Sequence, residues 1–254
     1  MLLLPFIYSA IDWKQILSRF NKRQSFGTMV KLAVEVKPQL APLVSTQYNS
    51  IFNEEIDTIC SDPGLLPTAH RIEYPTHVPV TINGDANCMP RCVERFVTGC
   101  YSDMFAEYRV RLLVEMLLNK EWYLTDTYLN RGFEPTETLT NTITSRYASC
   151  TKYYLADSKM DIRDSRVIEK CYEDEVFHLG KSKMGLWQLH ALANVLRRPV
   201  NSVNPHSGSR WHGAESTRTF YPEADTWAKS NARLFMVWKK PEGKRDQPCV
   251  ILLR

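Results

Sequence analysis

Two short runs near the C-terminus constrain this chain most: Arg233-Leu-Phe-Met-Val-Trp238 and Cys249-Val-Ile-Leu-Leu253. Each is too short and too apolar for a surface helix, and Lys239 to Gln247 between them is turn-rich, so both read as strands. Val200 to Val203 reads as a third. Upstream the periodicity is helical. From about Asp103 to Trp122, Ala106, Val110, Leu113, Val114 and Leu117 line one face, and Glu107 stands four before Arg111. From Leu186 to Arg197, Leu186, Leu189, Ala193 and Leu196 form a stripe that must stop at Pro199. Residues 136 to 180 look helical but more polar, with Asp164 as a cap. Helices therefore fill the first two thirds and strands gather at the end, which predicts an α+β fold with helices packed around a small, mostly antiparallel sheet.

The chain has 254 residues, 44% hydrophobic and 24% charged, and can bury one large core. A formal charge of +4, with both signs interspersed, disfavours a dedicated nucleic-acid binder without excluding nucleic acid. The apolar start, MLLLPFIYSAIDW, has no preceding basic residue and is interrupted by Pro5, so it fits neither a membrane span nor a signal peptide. Asp12 to Arg23 predicts a short helix with Trp13, Ile16, Leu17 and Phe20 on one face and Lys14, Arg19, Lys22 and Arg23 on the other. Residues 24 to 65 show no sustained periodicity. The division expected is a variable N-terminal extension over 1–65, carrying the basic amphipathic helix, and a domain over 66–254.

Seven cysteines, an odd number without a CxxC pair, argue against a stapled scaffold and a zinc site; reduced thiols in a cytoplasmic or nuclear protein are the expectation. No metal or organic cofactor is implied. The chemistry-bearing segment is Gly84-Asp85-Ala86-Asn87-Cys88-Met89-Pro90-Arg91. It follows an extended stretch, since Pro75 and Pro79 exclude a helix there. It then opens a helix, where Pro90 is tolerated in the first turn. A cysteine at a helix N-terminus meets unpaired N–H groups and a partial positive charge, which stabilise a thiolate and can hold an oxyanion. Asp85 and Asn87 can order the turn through side-chain to backbone bonds. A buried, inert cysteine is the commoner meaning of such a pattern taken alone.

This segment resembles the signature of the OTU family of papain-like cysteine deubiquitinases, a G-D-G-N-C-L-F/P-R-A type motif. Arg109-Val-Arg-Leu-Leu-Val-Glu-Met-Leu-Leu is similar to the family's second helix. Gly185-Leu-Trp-Gln-Leu-His-Ala-Leu-Ala-Asn-Val-Leu-Arg-Arg-Pro-Val resembles its segment leading into a strand. Two blocks, VEMLLNKEWYL and LWQLHALANVLRRPVNSVNP, look closest to vertnin, a nuclear protein with an OTU-like region; a vertnin-type C-terminal helix-turn-helix is absent. The resemblance implies a papain-like OTU fold and binding of ubiquitin or a ubiquitin-like modifier. It also implies thiol isopeptidase chemistry with Cys88 as nucleophile and Asp85 and Asn87 shaping the oxyanion turn.

Two positions depart from the pattern. Ala86 stands for a glycine, which matters only if its φ is positive. The histidine that active members carry at the start of the last strand falls at Pro248 or Cys249, and neither is a base. Without that imidazole the thiol has no proton acceptor, so activity is expected to be weak or lost. His206 and His212, in the polar loop from Asn204 to Asp225, read as surface histidines, and His190 as a core or edge residue. The alternative function is a non-catalytic, vertnin-like nuclear interaction or regulatory module.

Overall fold

The computed structural model describes residues 11–23, 25–41, 43, 50–61, 71, 74–83, 87–102, 104–129, 164–179, 186–203, 218–223, 234–237 and 250–254. The helices are α1 (Trp13–Asn21), α2 (Phe26–Val36, continued by a 3₁₀ turn Lys37–Gln39), α3 (Cys88–Thr98), α4 (Phe105–Leu118), α5 (Lys120–Tyr123), α6 (Asp126–Leu129), α7 (Ser165–His178) and α8 (Leu186–Leu196). The strands are β1 (Val78–Thr81), β2 (Val200–Val203), β3 (Arg218–Phe220), β4 (Leu234–Val237) and β5 (Val250–Leu253).

Local chemistry sets the helix ends. Asp12 and Asp164 accept from the N–H groups of Gln15 and Arg166, and Ser25 accepts from that of Thr28, each satisfying a donor the helix cannot. Gly99 ends α3 at φ 77, a left-handed conformation that glycine adopts without strain. Arg197 closes α8 at φ 50, donating to the Asn194 carbonyl while Arg198 donates to that of Ala193. This is a Schellman closure with arginine in the usual glycine position, and Pro199 then prevents further helix.

The strands form one five-stranded sheet in the order β1-β5-β4-β2-β3. All neighbours are antiparallel except the parallel pair β2–β4. β2, β4 and β5 are buried along their whole length, as runs such as Leu-Phe-Met-Val and Val-Ile-Leu-Leu require. β1 is shielded by residues 50–60. Cys60 donates to the Pro79 carbonyl and Thr81 to that of Thr58, while the same segment pairs with the end of β5, Phe52 donating to the Arg254 carbonyl and Arg254 to that of Ser50. Pro79, lacking an N–H, is tolerated in this strand because its carbonyl alone is used outward.

Helix α4 is the centre of the helical layer. Ala106, Tyr108, Val110, Leu112, Leu113, Met116 and Leu117 are all buried, so it is covered on most sides rather than on one face. α1, α2, α3 and α8 pack on it, and α8 and α3 in turn rest on β2 and β4. Ile16, Leu17 and Phe20 of α1 and Met29, Leu32 and Val36 of α2 join the same core. Each such side chain contributes about 1.5–3 kcal/mol of gross burial energy, which holds two helices too short to persist alone in water.

Candidate active site

Cys88 is the first residue of α3 and is half-buried. Four residues on, Cys92 is wholly buried, and that burial pushes its thiol far above the ordinary range. A thiol held protonated in this way is no nucleophile, so the helix itself separates the two cysteines: only Cys88 lies at the positive end and near the surface.

Asn87 precedes the helix with φ −103 and ψ 9 and does not cap it with its side chain. Its carbonyl oxygen Oδ1 instead accepts from Arg109 Nε at 2.8 Å. Arg109, fully buried on α4, also donates through Nη1 to the Leu179 carbonyl at the end of α7. One guanidinium thus ties the turn before Cys88 to two other helices. It also places a permanent positive charge next to that turn, which favours the anionic form of a neighbouring thiol or oxyanion. The Asn87 carbonyl accepts the Arg91 N–H at 2.9 Å, the first bond of the helix. The Arg91 guanidinium lies over the Phe105 ring at 4.8 Å from its centroid.

The other end of α3 is anchored by a buried ion pair. Arg95 donates to Asp57 through Nε at 2.8 Å and Nη2 at 2.5 Å, and both side chains are 0% exposed. Arg95 also reaches the Ile51 carbonyl, while Tyr101 Oη and the Asn53 N–H donate to the Asp57 carboxylate. Burial pushes the Asp57 pKa up, but these bonds and the Arg95 charge outweigh it and leave the group below the usual carboxylate range. Glu94, buried beside Arg95, accepts from the N–H groups of Ser102 and Met104, fixing the turn into α4.

Residues 79–239 match the family described as vertnin, OTU domain. The chain belongs to that family. No curated protein matches it.

Of the OTU-domain residues read from the sequence, Cys88 and Asn87 stand together at the start of α3. Asp85, like Ala86 and Gly84, lies outside the described residues, as do His206, His212, Pro248 and Cys249. Three histidines are described, each with its own surroundings. His77 packs edge-on against Tyr74 and Phe235. His178 Nδ1 lies 2.7 Å from the Asp174 carbonyl. His190 is buried between Tyr128 and Phe220. Among the described residues no group of three or more His, Cys, Asp or Glu is arranged to hold a metal, and no helix is long and apolar enough to cross a membrane.

Cys88 is disulfide-bonded, which departs from the expectation of reduced thiols. Sequence reasoning also missed two residues of the site. The sequence places Arg109 only in a helix resembling the family's second, and it carries no sign of a role for Asp57. A signal existed for Arg109: a cation in the middle of an otherwise apolar helix must find buried acceptors.

Proposed function

We propose that this OTU domain binds ubiquitin or a ubiquitin-like modifier, with Cys88 as the residue that faces the modifier's C-terminal carbonyl. The observation that carries this reading is the start of α3. A half-buried cysteine heads the helix, preceded by Asn87, which is itself held by the buried Arg109, in a chain that belongs to an OTU family. The substrate class is the isopeptide bond between a modifier's C-terminal glycine and a lysine.

The chemistry proposed for Cys88 is confined to the reduced thiol. Helix N-terminus and Arg109 favour the thiolate, and backbone donors at the turn, with Asp85 and Asn87 ordering it, would stabilise the oxyanion. With Pro248 and Cys249 where the family's histidine is expected, protonation of the leaving amine falls to water, so turnover is slow or absent. The test is diubiquitin cleavage by fully reduced protein, read by gel beside Cys88→Ala. Binding of diubiquitin with little or no Cys88-dependent cleavage is the expected result. Rapid cleavage abolished by Cys88→Ala would overturn the claim of impairment, and absence of modifier binding by the folded protein would favour a nuclear interaction module.

A further inference from the structure

The segment that shields β1 leaves its own outer edge open. Ile59 stands opposite Val80 in an antiparallel bridge whose two hydrogen bonds belong to its neighbours: Thr81 donates to the Thr58 carbonyl and Cys60 to that of Pro79. In such a wide pair the N–H and carbonyl of Ile59 itself point away from β1, and neither has a hydrogen-bond partner among the described residues. The Ile59 side chain shares a sheet face with Val80, which is packed in the core with residues of α3, yet Ile59 is 55% exposed. Ile51 is 68% exposed, and Ile56 and Tyr101 are exposed as well. These side chains belong to one small neighbourhood. Arg95 donates to the Ile51 carbonyl and to Asp57, the residue after Ile56, and Tyr101 donates to the same carboxylate. Single exposed apolar side chains are ordinary, whereas several beside an unpaired strand edge mark a docking surface.

Charge selects the occupant. Ile51, Phe52, Glu54, Glu55, Arg95 and Gly99 line an open cleft of about 560 Å³ in the same neighbourhood. Arg95 is neutralised by Asp57, whereas Glu54 and Glu55 are exposed and form no ion pair among the described residues. Gly99 closes α3, so the cleft also meets the negative end of that helix. We propose that this edge takes up an extended segment of a partner protein in which apolar residues alternate with Lys or Arg. The segment's backbone pairs with the Ile59 N–H and carbonyl. Side chains on one of its faces lie on the exposed isoleucines, and its cations reach Glu54 and Glu55. An acidic segment is repelled, and a second copy of this chain brings the same two glutamates to the same edge, which disfavours self-pairing. The length of α3, about 15 Å, separates the cleft from Cys88, so the docking surface is independent of the candidate active site.

The probe is a fluorescent peptide of four Val-Lys repeats, titrated into the full chain at low salt and read by anisotropy, beside a peptide of four Val-Glu repeats. Two variants keep the fold, which circular dichroism verifies. Glu54→Lys with Glu55→Lys reverses exposed charges, and Ile59→Pro removes an N–H that the bridge to β1 does not use. The expected result is binding of the Val-Lys peptide and not of the Val-Glu peptide, weakened about tenfold or more by either variant and by N-methylation of alternate residues of the peptide. No binding of the Val-Lys peptide to the folded chain, equal binding of the Val-Glu peptide, or an affinity unchanged in either variant would overturn the proposal. Dimerisation of the chain in sedimentation equilibrium, abolished by Ile59→Pro, would overturn it too, because the edge would then belong to a second copy.

Discussion

Asp57→Asn strands the Arg95 guanidinium in the core, and the structure sets the size of the effect. The pair has two charge-assisted bonds, both side chains fully buried, and further donors from Tyr101 and Asn53 fixing the carboxylate. An exposed pair would contribute only about 0.2–1 kcal/mol, whereas removing one partner of a buried pair costs about 3–5 kcal/mol because a charge is left uncompensated. Against a total stability on the order of 5–15 kcal/mol, that is a large fraction. Urea denaturation followed by circular dichroism should show the midpoint falling sharply at unchanged slope. The double variant Asp57→Leu with Arg95→Met strands no charge and should lose less than Asp57→Asn alone. Because the folded pKa of Asp57 is depressed, its contribution is present above the unfolded value of about 3.9 and lost as pH falls through the folded value. An Asp57→Asn loss below about 1 kcal/mol, or a double variant worse than either single one, would refute the reasoning.

Three further outcomes follow from buried polar groups. Glu175 has its pKa raised to about 7 by burial, against a lowering hydrogen bond from Gln188, with Asp174 adding to the rise. A raised carboxyl binds protons better when folded, so stability should fall as pH rises from about 4.5 to about 7; Glu175→Gln should flatten the dependence of melting temperature on pH between 5 and 8. Arg109→Lys keeps the charge but loses the fork that reaches both Asn87 and Leu179. It should cost about 1.5–3 kcal/mol and slow alkylation of Cys88 in reduced protein, whereas an unchanged alkylation rate would deny Arg109 a role in positioning the turn. Tyr123→Phe removes the hydroxyl shared by Glu115 and Asn194, each at 2.8 Å, and thermal denaturation should show a loss of about 1–3 kcal/mol.

Much of this architecture is legible where one residue type can serve only one purpose. β4 and β5 are runs with no polar face, so burial on both sides was their only use, and α8 had to stop at Pro199. The helix start at Cys88 followed from the turn residues before it, and the caps Asp12 and Asp164 lie where the sequence places them. The period of α2 is hard to see in the sequence although Met29, Leu32, Ala33 and Val36 carry helical spacing, because Val30 and the exposed Val34 blur the stripe. β3 is indistinguishable from loop in the sequence because three residues carry no period. The interactions that hold α3 join residues far apart in the chain: Asp57 with Arg95, Asn87 with Arg109, Arg109 with Leu179. Pairing across such distances depends on the folded topology, which local periodicity does not encode. The bond at Cys88 is hidden for a different reason: neither the odd cysteine count nor the expected cellular location bears on which sulfurs meet.

The central claim is that Cys88, heading α3 beside the Asn87–Arg109 turn, is a thiol that faces the C-terminus of a bound modifier. The most direct measurement is labelling of reduced protein with ubiquitin bearing a C-terminal thiol-reactive group, beside Cys88→Ala, with folding of both verified by circular dichroism. A covalent adduct on the wild-type chain and none on Cys88→Ala is the predicted result. No adduct on folded, reduced wild-type protein, or an adduct that persists in Cys88→Ala, would contradict it.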